Sequence, residues 1–237
     1  MATFGVIAEG PCDQRVIENV LIGYFGDQEE PVVNSIQPPR RMSRADPSHG
    51  GWTLVFESLR RGDPESALQF NDYLVIHIDT DVQEEPGFDV PRRQGGGELS
   101  PHARVERVVA KLASCIETGC FGSSRDRILF AVAVDSIECW LMPLLFPCNK
   151  AGKITGCLEA ANRELRRTNR DGLSSGTDTK FPNAYEAASR DFCNQRELMA
   201  RSDKNPSLKL FIEQLDALRA RMTGQDPTTT VADNQPG

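Results

Sequence analysis

The chain of 237 residues has no apolar run near the roughly 18 residues that a bilayer-crossing helix needs, which excludes that class. The basic-then-apolar pattern of a secretory leader is missing too, since the short apolar segment 3–8 runs straight into Glu9. Positive charge is scarce. Against 34 Asp and Glu stand 27 Lys and Arg, a net charge of −7, so no global field draws in nucleic acid. Any polyanion must be met by local arginines or through a metal ion. There is no Cys-x-x-Cys, and the three histidines have no partners in sequence, which argues against a zinc module. The glycine triplet at 95–97 is not followed by Lys-Ser/Thr, so no nucleotide P-loop is present. Seven cysteines, an odd number, read as a reducing cytoplasm and not as a disulfide framework. The equal spacing of Cys139, Cys148 and Cys157 reads as accident. These absences leave a cytoplasmic α/β protein as the expectation.

What is present supports that class. Apolar residues make up 39% and charged residues 26%, enough for a hydrophobic core. Residues 3–8 form a first strand, followed by Asp13 as N-cap and a helical stripe from Val16 to a stop at Gly26. A second strand is expected at 31–36. Trp52, Val55, Phe56 and Leu59 mark a short amphipathic helix, extended after Pro64. Residues 73–78 are apolar at nearly every position, as in a parallel strand covered on both faces. The polar loop 83–99 is expected to be mobile. Ser100 and Pro101 open a helix with its stripe at Val105, Val108, Val109, Leu112 and Ile116. Another buried strand is expected at 128–134. Beyond Pro147 only helices follow, at 158–168, 184–200 and 207–222. The organisation is thus an α/β core over 1–146, a helical extension over 147–222 and a disordered tail over 223–237, with a parallel sheet carrying helices on both faces.

In such sheets ligands bind beyond the carboxyl ends of the strands. Glu9 follows the first strand, Asp79 and Asp81 the third, Asp135 and Glu138 the fourth. Parallel strands bring these acids to one edge, and the two-residue step puts Asp79 and Asp81 on one side. Gathered carboxylates repel one another, and a hard divalent cation relieves this: Mg²⁺ takes oxygen ligands and leaves room for a substrate phosphate. Single acids after strands also cap helices, which would account for Asp13 and Asp135 without chemistry.

Glu9-Gly10 after strand one with Asp13 behind it, and Asp79-Thr80-Asp81 after an apolar strand, resemble the two acidic motifs of a Toprim domain. Val134-Asp135-Ser136-Ile137-Glu138-Cys139-Trp140 looks like the further acidic motif of small overcoming-lysogenization-defect (OLD) type nucleases of this group. The resemblance covers residues 3–146. It implies a Toprim-like fold and Mg²⁺- or Mn²⁺-dependent phosphodiester hydrolysis. Glu9 would be acid/base or metal ligand, Asp79 and Asp81 would carry the catalytic metal, and Asp13, Asp135 and Glu138 would be additional ligands. It also implies an antiphage setting with a separate ATPase subunit. Topoisomerase action is disfavoured by the lack of a tyrosine context, and primase action by the lack of a zinc module.

For a nucleic-acid backbone, Arg40, Arg41 and Arg44 in the loop before Trp52, and Arg163, Arg166, Arg167 and Arg170 at helical spacing, are the candidate contacts. Plain solvated charge is the rival account of each. Homo-oligomerisation is left open. Two other functions stand beside the nuclease. Residues 75–82 also look like the nucleophile motif of haloacid-dehalogenase-type phosphatases, although Asp79 lies far from the N-terminus. The third is a non-catalytic regulatory or assembly subunit on the same scaffold.

Overall fold

The computed structural model describes residues 1–27, 29–39, 50–116, 122–147, 149–175 and 179–224. In chain order its elements begin with β1 (Thr3–Ile7), α1 (Pro11–Phe25), β2 (Val32–Gln37), α2 (Trp52–Arg60), α3 (Asp63–Leu68) and β3 (Tyr73–Asp79). Next come β4 (Arg93–Gln94), β5 (Gly97–Glu98), α4 (Pro101–Cys115), β6 (Ile128–Ala133), α5 (Glu138–Leu145) and α6 (Cys157–Arg167). The chain closes with β7 (Ser174–Ser175), β8 (Thr179–Lys180), α7 (Pro182–Ser189), α8 (Gln195–Ser202) and α9 (Pro206–Met222). Four strands form a parallel sheet in the order β2-β1-β3-β6. Among the described residues no helix is long and apolar enough to cross a membrane.

The period of two along each strand sorts the core into two layers. Phe4, Val6, Val75, Leu129, Ala131 and Ala133 face one layer, with α1 and helices of the C-terminal third. Ile7, Leu74, Ile76, Ile78, Phe130 and Val132 face the other, with α2, α3 and α4. His77 and Asp79 share the parity of Val75, so they point toward the first layer. That parity decides which elements surround the acids.

The helices after residue 147 are part of this core. Trp140 on α5 is fully buried and stacks on Phe211 of α9, with centroids 5.6 Å apart. The Ser207 hydroxyl accepts from Trp140 Nε1 at 2.9 Å and from the Val134 amide at 3.2 Å. Gln214 of α9 covers the edge of β6, accepting from the Phe130 amide and donating to its carbonyl, both at 2.9 Å. A side-chain amide thereby satisfies strand groups that would otherwise be open to pairing. The boundary near 147 marks a change of secondary structure, while the packing runs across it.

Several expectations are corrected. α1 starts at Pro11 with Gly10 as its N-cap; Asp13 lies in the first turn and accepts from the Gly10 amide, reaching back as an acid at that position can. The helix expected over 184–200 is two, α7 and α8, broken by a 3₁₀ turn at Arg190–Cys193 and restarted by the Asn194 side-chain cap. Residues 83–99, expected as an open loop, contain buried anchors and a short hairpin. Gln83 and Phe88 are fully buried, Phe88 packs on Phe56 and Trp52, and β4 pairs with β5 around Gly95 and Gly96 at positive φ. Of the tail, residues 225–237 lie outside the described residues.

The cysteine reading is also corrected. Cys139, second residue of α5, and Cys157, first residue of α6, form a disulfide with their Cα atoms 5.1 Å apart. Two of the three equally spaced cysteines therefore face each other, because both helix starts lie at the same end of β6. Cys148 and Cys120 lie outside the described residues. The bond closes a loop with a sequence separation of 18, for which chain entropy gives about 3 kcal/mol. Reduction with dithiothreitol should lower stability by about that amount, read by urea denaturation. Thiol titration of the denatured, unreduced chain should find two fewer reactive groups than after reduction.

One glycine is required by close approach. A Cβ on Gly23 would lie 1.7 Å from the Phe192 carbonyl oxygen, so α1 meets the turn after α7 backbone to backbone. Gly23→Ala forces the two apart and should cost about 3 kcal/mol, seen as a lower denaturation midpoint. A midpoint equal to the wild type would mean this contact does not form.

Candidate metal centre

The carboxyl ends of β1, β3 and β6 carry the acids to one edge, where α1, α5 and β8 add side chains. Glu9 Oε1 accepts from the Asp79 amide at 2.7 Å, linking the first two strand ends directly. Asp79 is 7% exposed, and its Oδ1 has no hydrogen-bond partner among the described residues. Burial, then the neighbouring Asp13 and Glu138, push the Asp79 carboxyl well above the usual range. Glu9 is raised likewise, by burial and then by Asp79 and Asp13. Asp13 is buried and raised by that burial, with His77 and Lys180 acting against it. Asp81 sits at the solvent side, exposed; desolvation raises it, with Asp135 adding to the rise.

Asp135 follows β6 in the left-handed region, φ 69°, a conformation that costs a non-glycine residue about 1 kcal/mol. Its amide donates to Thr80 Oγ1 at 2.8 Å, and its Oδ2 accepts from the Gly156 amide at 3.2 Å. Burial raises its carboxyl also. Asp135 comes within 4.8 Å of both sulfurs of Cys139 and Cys157. Those sulfurs are bonded to each other, so they are not thiolate ligands here.

Glu138 is the exception among the acids. It is 1% exposed, yet its carboxyl is held below the usual range: burial pushes it up and Lys180, Ser136 and Tyr185 outweigh burial. Lys180 Nζ lies 2.7 Å from Glu138 Oε1, and the Tyr185 hydroxyl donates to the same oxygen. Burial disfavours the Lys180 ammonium, but Glu138, Asp13 and Asp79 together hold it charged. Tyr185 stays protonated through burial and the adjacent Glu138.

His77 has Nε2 3.4 Å from Asp79 Oδ1, but neither ring nitrogen makes a hydrogen bond with the described residues. Burial drives its pKa down, so at neutral pH the ring is uncharged and the contact is no ion pair. Cys12, also close by, is a buried thiol raised by burial and by Asp13, without nucleophilic character.

Two arginines hold the turn that presents Asp79 and Asp81. Arg104, 9% exposed, donates to Gln83 Oε1 at 2.9 Å, to Thr80 Oγ1 at 2.7 Å and to the Thr80 carbonyl at 3.2 Å. Arg92 donates to the Thr80 carbonyl at 2.8 Å and to the Asp81 carbonyl.

The structure therefore brings together Glu9, Asp13, Asp79, Asp81, Asp135 and Glu138. Sequence reasoning missed Lys180, Tyr185, Arg92 and Arg104. The only signal for Lys180 was its place just before Phe181-Pro182, a helix start. Arg40, Arg41 and Arg44 lie outside the described residues. Arg163, Arg166 and Arg170 border hollows beside α6. Arg167 is taken up by Glu164, at 2.6 and 3.0 Å. Arg170 lies past the helix end, where its amide donates to the Leu165 carbonyl.

The donors suit a hard cation: they are carboxylates, they repel one another, and a buried oxygen of Asp79 is unpartnered among the described residues. Comparison with protein-family models, with curated proteins and with solved structures finds no match.

Proposed function

We propose that the chain is a divalent-metal-dependent nuclease with a Toprim-like core, hydrolysing phosphodiester bonds of nucleic acid at this acidic edge. The observation that carries the reading is the buried Oδ1 of Asp79, without a partner among the described residues, beside carboxylates held above their usual range. A buried acid shifted by burial and by neighbouring acids is a functional-site candidate.

Asp79 and Asp81, with Asp13, Asp135 and Glu138 around them, would hold Mg²⁺ or Mn²⁺. When bound, the ion supplies charge stabilisation of the phosphoryl oxygens and acidifies a water. The chain's own groups do the rest. Glu9, raised by burial and its acidic neighbours, is suited to hold a proton and deliver it to the leaving oxygen as water adds to phosphorus. Lys180 stays charged beside the acids, offsetting negative charge on a phosphate. Arg92 and Arg104 act as positioning residues, fixing the Asp79-Thr80-Asp81 turn.

The test is cleavage of supercoiled plasmid and total tRNA with Mn²⁺ or EDTA, comparing wild type with Asp79→Ala. Metal-dependent cutting absent from the variant is expected. Equal cutting by both would overturn the site, and turnover of a phosphomonoester with trapping by beryllium fluoride would replace the nuclease by a phosphatase.

A further inference from the structure

Beside α6 and α7 lies a hollow of about 570 Å³, within the size range of small-ligand sites. Its buried lining is apolar, with Leu165 and Ala188, and Phe181 also lines it, 41% exposed. Arg166 and Arg170 line it, and Arg163 and Arg166 border an adjoining hollow. The Arg163 and Arg166 side chains make no ion pair or hydrogen bond with the described residues, and among them the Arg170 guanidinium donates to the Ala187 carbonyl, at 3.2 Å. The two hollows carry three arginines against Asp171 and Glu159, a local excess of positive charge in a chain of −7, joined to an exposed aromatic face. Asn169, Asn183 and Asp171 add polar groups that can meet a base edge.

The hollow adjoins the metal centre through two elements. Lys180 reaches the acids and the next residue, Phe181, lines the hollow. On α7, Tyr185 faces Glu138 while Asn183, Ala184 and Ala187 face the hollow.

We infer that this hollow binds a nucleotide unit of a single-stranded nucleic acid, its base stacked on Phe181 and its phosphates held by Arg166 and Arg170. The inference rests on the nuclease reading and names its substrate class. A paired, stacked base cannot offer its face to Phe181, so a duplex meets only the arginines. Aromatic stacking and arginine–phosphate contacts together are how single strands are held without sequence preference.

The test is fluorescence anisotropy with a fluorescein-labelled single-stranded oligonucleotide and with the same sequence as a duplex, in EDTA to prevent cleavage. Phe181→Ala should weaken single-strand binding about tenfold and leave the duplex unchanged, with Phe181→Trp restoring it. Arg166→Ala with Arg170→Ala should weaken both and flatten the single-strand salt dependence by about 0.7 per arginine. All three side chains are exposed, so unchanged melting curves will confirm intact folding. The inference is overturned if wild type binds no single strand or if Phe181→Ala binds it as wild type does. Equal weakening of both polymers by Phe181→Ala, or displacement by AMP with the affinity of the strand, overturns it as well. With Mn²⁺ the two readings separate. If wild type is inert but the binding pattern holds, the catalytic reading alone falls. If wild type cuts and Phe181→Ala binds normally, the hollow alone falls.

Discussion

Asp79→Asn should stabilise the metal-free protein and abolish metal-dependent cleavage, lowering it by about a hundredfold or more. Asp79 is buried beside Asp13 and Glu138, with an oxygen that no described residue satisfies. An amide removes the repulsion, and its nitrogen can donate to the uncharged His77 ring 3.4 Å away. Each kcal/mol of relieved repulsion is worth about 2–4 °C in a chain of this length.

The pH dependence follows from the same groups. Asp79 and Glu9 titrate higher in the fold than the ordinary 3.8 and 4.5, so above those values the folded state binds more protons than the unfolded. Their contribution to stability is present at low pH and is lost as pH rises through the folded values. His77, lowered from 6.5 by burial, acts with the opposite sign and loses stability as pH falls below that value. Asp79→Asn keeps His77, so the difference between variant and wild type isolates the carboxylates. That gap in melting temperature should be wider at about pH 8 than at about pH 5, and Mn²⁺ should close it by stabilising only the wild type. A gap that is constant with pH would place Asp79 outside any repelling cluster.

The second large effect is at Lys180. Lys180→Met leaves Glu138, 1% exposed, with Tyr185 and Ser136 but no cation. Stranding one member of a buried ion pair costs about 3–5 kcal/mol. The Lys180 side chain is 37% exposed, so water already screens part of the attraction, and about 3 kcal/mol is expected. Adding Glu138→Gln should recover most of the stability, since the stranded charge is gone, while cleavage stays down by about a hundredfold. Urea denaturation of the two variants reads the first effect and Mn²⁺-dependent cleavage the second. Full stability of Lys180→Met alone would show that the pair contributes nothing. Recovery of both stability and cleavage in the double variant would remove Lys180 and Glu138 from the site.

How far the sequence foretold these residues depends on how far apart the contacts lie. Asp79 and Asp81 were legible because they end the most apolar strand, and Glu9 because it ends another. Strand direction and the two-residue period then suffice to place them. Lys180 and Tyr185 were not legible, since a two-residue strand and an eight-residue helix carry too few positions to show a period. Arg92 was hidden in a polar, glycine-rich loop without a period, which Phe88 and Gln83 anchor in the core.

By itself the sequence determined the alternation of apolar strands and amphipathic helices, and with it a parallel sheet gathering its acids at one edge. Local periodicity encodes those features, and each depends only on neighbours a few positions away. Only the tertiary structure decided that Glu138 is held ionised by Lys180 while Glu9 and Asp79 are pushed toward their protonated forms. It alone joined Cys139 to Cys157 and set Phe181 beside Arg166 and Arg170. Chemically identical carboxyl groups differ here because burial and charge at a few ångströms set their protonation, and those distances arise from chain segments that no local pattern relates.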